Sequence, residues 1–263
     1  MSFVGIDDAV PDDVASYILT FLDVPTLVQK KAVCRSWQIR FTNTIHQKAS
    51  TPKAFQSRAE LKAAVNKYVK YNHVDAEEFA ETYGWPIGRW DVSLVEDFSR
   101  LFSYKSSFNE NIGSWDVANA GFMIRMFEGA IAFNKDLSSW NVSNVGDMDS
   151  MFHSARRFNQ DVSSWNVSNV QNMAHMFENA RSFNQDLSSW NVSNVETMFC
   201  MFHDATSFDQ DLSSWNVSNV QNMAHMFENA RSFNQDLSSC HVSNVKTIIC
   251  TVADTHLRSQ DTC

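Results

Sequence analysis

Tryptophan stands at positions 90, 115, 140, 165, 190 and 215, and Cys240 takes the next place in a series with a step of 25. Phe108, Phe133, Phe158, Phe183, Phe208 and Phe233 keep the same step. So do the Met-Phe pairs that begin at Met126, Met151, Met176, Met201 and Met226, with Leu101-Phe102 as a weaker first member. Ten of the eleven methionines fall in two such columns, and residues 163–189 are identical to 213–239, so a block of two units was copied whole. A fixed period of this size marks an array in which each unit buries its apolar face against its neighbours.

One unit can be read residue by residue. Leu137, Trp140 and Val142 have the L-x-x-L-x-L spacing that opens a leucine-rich repeat, which predicts a short strand with alternate side chains turned inward. Val145, Met148, Met151, Phe152 and Ala155 follow at i, i+3, i+6, i+7 and i+10, which predicts one face of a helix. Ser93/Glu96, Ser168/Gln171, Ser193/Glu196 and Ser218/Gln221 fit the capping box that satisfies the first N–H groups of a helix. Phe158 closes the unit. The expected architecture of the array is a right-handed strand–helix solenoid.

Charge excludes some partners. Residues 91–263 hold 10 basic against 20 acidic side chains, so this part carries −10 of a net −9, residues 1–49 being neutral and 50–90 carrying +1. A surface of that sign repels phosphate backbones, which speaks against nucleic acid as a partner. No apolar run reaches the roughly 18 residues that a membrane span needs, and the first 25 residues lack a basic stretch followed by an apolar one, the form of an export signal. Neither a membrane nor secretion is expected. Cys34, Cys200, Cys240, Cys250 and Cys263 are odd in number and show no CxxC, so free thiols in a reducing compartment are expected, with no metal and no cofactor.

Several polar columns run along the array. Ser139, Asn141 and Ser143 with their equivalents form a ladder that reads either as a binding surface or, preferably, as hydrogen bonds that hold the stack in register. Asp136, Asp161, Asp186, Asp211 and Asp236 invite a calcium reading, but the glycine-rich repeat of calcium turns is missing, and carboxylates accepting turn N–H bonds explain the column more simply. His153, His175, His203 and His225 are expected to face solvent, and the N-V-S sequons at Asn141, Asn166, Asn191 and Asn216 are by-products of the repeat. Variation between units gathers on the segment expected to be helical, at Asp149, His175, Phe199 and the pair Arg156-Arg157. These five are the candidate target-binding residues. Every Asp, Ser or His of the array is copied along it, so no nucleophile–base set stands out and no enzyme is expected.

Residues 10–37 follow other rules. Val10-Pro11-Asp12-Asp13 opens a helix, and Val14, Tyr17, Ile18, Phe21 and Leu22 fall on one face of it; a second start follows at Asp23-Val24-Pro25, and a third segment holds Val33, Cys34 and Trp37. The run resembles the F-box motif, with the Leu-Pro opening replaced by Val10-Pro11. The resemblance implies docking onto a Skp-type adaptor, and through it a cullin, by Val10, Pro11, Val14, Ile18, Leu22, Leu27, Val33 and Trp37.

The repeats are similar to the 25-residue BspA-like repeats of the DUF285 type, over about residues 55–245 and through units such as Met176-Phe-Glu-Asn-Ala-Arg-Ser-Phe183-Asn-Gln-Asp-Leu-Ser-Ser-Trp190-Asn-Val-Ser-Asn-Val195. Ser57-x-x-Glu60 caps a helix bearing Leu61, Val65, Tyr68 and Val69, and after Val245 the pattern decays into Ile248-Ile249-Cys250. The expected fold class is therefore a small all-α F-box module (1–48) followed by an α/β solenoid of leucine-rich-repeat-like strand–helix units. Within it, 53–85 form a helical cap, 86–245 the solenoid and 246–263 a degenerate cap or tail. Together the resemblances imply a cytoplasmic or nuclear substrate receptor of a ubiquitin ligase that performs no chemistry and holds an unknown protein target. The alternative is a repeat-based surface adhesion or scaffold protein with no ubiquitin role.

Overall fold

The computed structural model describes residues 52–70 and 82–236. The eight expected adaptor-binding residues, Val10 to Trp37, and the expected C-terminal cap over 246–263 lie outside the described residues. The chain divides into two compact units between Leu94 and Val95.

In the first unit, α1 spans Arg58–Lys70. Its start is a reciprocal capping box: the Glu60 N–H donates to Ser57 Oγ at 3.3 Å and the Glu60 carboxylate accepts the Gln56 N–H at 2.9 Å. Lys53 and Tyr83 also donate to Glu60. Chiefly through the Lys53 ammonium, these bonds hold its carboxyl down at about 2. Leu61, Ala64, Val65 and Tyr68 make the buried face of α1. Around them Phe55 stacks on Tyr83 at 4.1 Å, and Tyr68 meets Trp85 at 5.0 Å and Trp90 edge-on at 5.4 Å. A short 3-10 turn, Ile87–Arg89, leads into Trp90.

The second unit corrects the expected fold class. No strand–helix unit forms among its described residues: the segment Val145–Ala155, expected as a helix, is a chain of turns joined to its neighbours by single parallel bridges. Met148, Ser150, Phe152 and Ser154 each donate their N–H across to the next coil, to Asn172, Ala174, Met176 and Glu178 at 2.7–2.9 Å. The alternate donors, Met151, His153 and Ala155, reach back three residues within their own coil. Leu137–Val142, expected as a strand, is likewise a turn that closes with the Trp140 N–H on the Leu137 carbonyl.

Coil spacing explains why. Phe127, Phe152, Phe177, Phe202 and Phe227 stack in one file with centroids 5.4–5.6 Å apart. Helices pack about 8–10 Å apart, whereas extended chains pair at about 4.8 Å. Units stacked this tightly have no room for a helix each. The backbone takes the tighter path by placing residues such as Ser150, Ser154, His175 and Cys200 in the left-handed region, at φ of 53–57°. The i, i+3 burial pattern survives because successive three-residue turns repeat it.

Side chains seal the stack. Phe158 and Phe183 form a second aromatic file at 6.0 Å, and Trp165 and Trp190 a third at 6.5 Å. Each file burial contributes roughly 1.5–3 kcal/mol per ring. The Trp165 and Trp190 indole N–H groups donate to the carbonyls of Leu137 and Val162 in the preceding coil at 3.0 Å. Ser164 Oγ and Asn169 Nδ2 donate to carbonyls of the preceding coil, and Asn159 Oδ1 accepts both the Asn184 N–H and the Gln185 side chain. Of the expected Ser/Asn ladder, the Ser139 column ties coil to coil, whereas Asn141 and Asn166 accept the N–H two residues on within their own coil. Asp136 and Asp161 accept the N–H groups of Ser138 and Ser163, bonds that keep both carboxyls below their ordinary range.

Candidate functional site: a histidine–carboxylate strip

The left-handed residues fix where each coil turns, and so which side chains of successive coils lie side by side. Down one column, at the same place in successive coils, run Glu128, His153, Glu178, His203 and Glu228. A neighbouring column, held at positive φ, carries Arg125, Ser150, His175, Cys200 and His225. Such conformations are strained for residues with a Cβ, about 1 kcal/mol or more each, and here the bonds between coils impose them. Histidine and carboxylate are thereby set beside each other along the strip.

Glu178 is its centre. One carboxylate oxygen lies 2.5 Å from His175 Nδ1 in its own coil and the other 3.3 Å from His203 Nδ1 in the next. The geometry repeats at His225 and Glu228, 2.5 Å apart. His153 Nδ1 stands 3.7 Å from Glu128, which is buried and also accepts the Ser103 and Tyr104 hydroxyls. The four histidines are half-buried and each faces a carboxylate, where the sequence pointed to simple solvent exposure. The hydrogen bond to Glu178 raises the His175 pKa above 6.5, against a burial that opposes it. For Glu178 burial pushes upward, but the bond to His175 and the nearby histidines outweigh it and hold the carboxyl below its ordinary value.

Three of the five residues expected to bind a target meet here. Phe199 lies edge-on between His175 and His225, at 5.0 and 5.9 Å. Asp149 reaches His175 electrostatically and pairs with Arg125 at 3.6 Å. Arg156 and Arg157 are exposed on the turn from Ala155 to Phe158, away from this cluster in the chain path. Sequence reasoning missed Glu128, Glu178, Glu228 and the pairing role of His203. The alternation of Glu and His at a step of 25 was the available signal. Elsewhere, Asn169, Gln171, Asn194, Glu196, Asn219 and Gln221 line a groove of about 470 Å³. Among the described residues no group of three or more His, Cys, Asp or Glu is placed to hold a metal ion, and no helix is long and apolar enough to cross a membrane.

A stack of near-identical coils with one chemically varied strip defines the class: a repeat solenoid. The family described as "Mycoplasma protein of unknown function, DUF285" matches residues 72–185 and 160–262, and the chain belongs to it. No curated protein and no solved structure matches the chain.

Proposed function

We propose that this protein is a repeat-based surface adhesion or scaffold protein, without catalysis of its own, that holds a macromolecular partner on the histidine–carboxylate strip. One observation carries this reading: the buried files keep the same residue from coil to coil, while the strip changes at nearly every step. Phe152, Phe177 and Phe202 must match because each stacks on the next. Glu128, His153, Glu178 and His203 are held by no such ring stacking and alternate in turn. A uniform surface discriminates little between partners, whereas one that alternates charged, aromatic and hydrogen-bonding groups can.

Membership of the DUF285 family supports the repeat scaffold. The ubiquitin-receptor reading has only the sequence pattern of residues 10–37 behind it, and the family match starts at residue 72. The scaffold reading is therefore preferred. Antibodies against residues 95–236 should stain intact cells of the source organism. Staining confined to permeabilised cells, together with co-purification of a Skp-type adaptor by the full chain but not by an Ile18→Asp/Leu22→Asp variant, would return the ligase reading.

A further inference from the structure

Building on the strip as the partner-binding face, we propose that it is an acid-sensitive docking surface: it holds a partner segment rich in Lys or Arg at neutral pH and releases it when its own histidines protonate.

The charged groups along the strip come from every coil that borders it. The carboxylates are Glu128, Asp149, Glu178, Asp204 and Glu228. Against them stand the guanidinium groups of Arg100 and Arg125, which reach Tyr104 and Asp149 at the first end. The Cys200 thiol lies between Glu178 and Glu228 and stays protonated. With neutral histidines the strip has three negative charges in excess. Protonation of His153, His175, His203 and His225 adds four positive charges and reverses the sign.

The contest is local as well as global. Both oxygens of Glu178 already face an imidazole, at 2.5 and 3.3 Å. A neutral imidazole shares such a carboxylate with an incoming ammonium or guanidinium, but an imidazolium competes for it as a tethered cation. Histidine is the side chain whose ordinary pKa lets this happen between pH 5 and 8. A lysine in its place would block the carboxylates at every physiological pH. Phe199, half-buried between His175 and His225, adds an aromatic ring beside the same carboxylates.

The test uses the full chain and a fluorescent oligolysine peptide, with binding read by anisotropy at physiological salt. Wild type should bind roughly tenfold more tightly at about pH 7.5 than at about pH 5.5. His153→Gln/His175→Gln/His203→Gln/His225→Gln should bind alike at both, and His203→Gln alone, which disturbs least, should lose part of the pH effect. Acid release that persists undiminished in both variants overturns the switch. Glu178→Gln/Glu228→Gln should weaken binding at neutral pH, whereas Glu196→Gln, outside the strip, should not. If the double glutamate variant binds as wild type does, the strip is not the docking face and the functional reading falls with the switch.

Discussion

His203 Nδ1 faces Glu178 Oε1 at 3.3 Å across the step from one coil to the next, although 25 residues separate them in the chain. The contact exists because Asn179 and Asp204, each just beyond, sit in the same left-handed conformation and turn both coils at the same point. Register between coils thus becomes proximity between chemical groups.

Stability should peak in mildly acid solution. His175 has its pKa raised on folding, so its contribution is complete below pH 6.5 and fades as pH rises through the raised value. Glu178 has its pKa lowered, so its contribution is present above pH 4.5 and fades as pH falls through the lowered value. The two overlap between those ordinary values. Urea midpoints measured across the range should show a shallow maximum there, and His175→Gln should flatten its alkaline side by about 0.5 kcal/mol, the scale of a partly solvated pair. An alkaline limb unchanged in the variant would refute the assignment.

Cys200 should be inert in the native protein. Burial first, then the charges of Glu178 and Glu228, push its thiol up to about 11. Iodoacetamide at neutral pH should leave the Cys200 peptide unmodified in native protein and alkylate it fully in denaturant, as peptide mass spectrometry would show. Alkylation of native protein at the rate of the unfolded chain would contradict the burial.

Much of this was legible in the sequence, and the limits are instructive. The files of Trp165, Phe158 and Phe177 follow from the period alone, since stacked units must superimpose their apolar residues. Secondary structure did not follow. Ser57 and Glu60 form a true capping box on α1, yet Ser193 and Glu196, with the same motif, do not: the Glu196 N–H donates to the Gln171 carbonyl of the preceding coil. A local motif has no knowledge of a copy 25 residues away that competes for its donors. The left-handed residues were hidden for a related reason. Gly129 advertises positive φ, whereas Ser154 in the equivalent place, and Ser150, His175 and Cys200 in the neighbouring column, do not, because bonds between coils impose it. The strip was half visible: His175, Phe199 and Asp149 varied, but Glu178 joins them only once the coils are aligned.

Gly129 tests the imposed conformation directly. Its φ is +64°, and an added Cβ would stand 2.9 Å from a ring carbon of Tyr104. Gly129→Ala should cost about 1–2 kcal/mol, from the left-handed backbone and the displaced ring together. In a Tyr104→Ser background the ring part should vanish and about 1 kcal/mol should remain. Equal losses in both backgrounds would assign the whole cost to the backbone.

Phe177 and Phe199 separate core from surface in one comparison. Phe177 is fully buried, with Phe152 and Phe202 stacked on either side at 5.6 Å and Phe183 at 3.9 Å. Removing it leaves a void that its neighbours cannot close, because each is fixed by its own place in the file. Phe177→Ala should therefore cost about 3–5 kcal/mol. The cost should fall on both flanking coils at once, since a solenoid is held by nearest-neighbour contacts. Hydrogen exchange would show it as faster exchange at the Phe152 and Phe177 amides, which bond across those coils. Phe199 is only half-buried and lies perpendicular to two histidine rings. Phe199→Ala should cost about 1 kcal/mol or less while weakening capture of a cationic partner on the strip. A Phe199→Ala loss as large as that of Phe177→Ala would make Phe199 part of the core and remove it from the docking face.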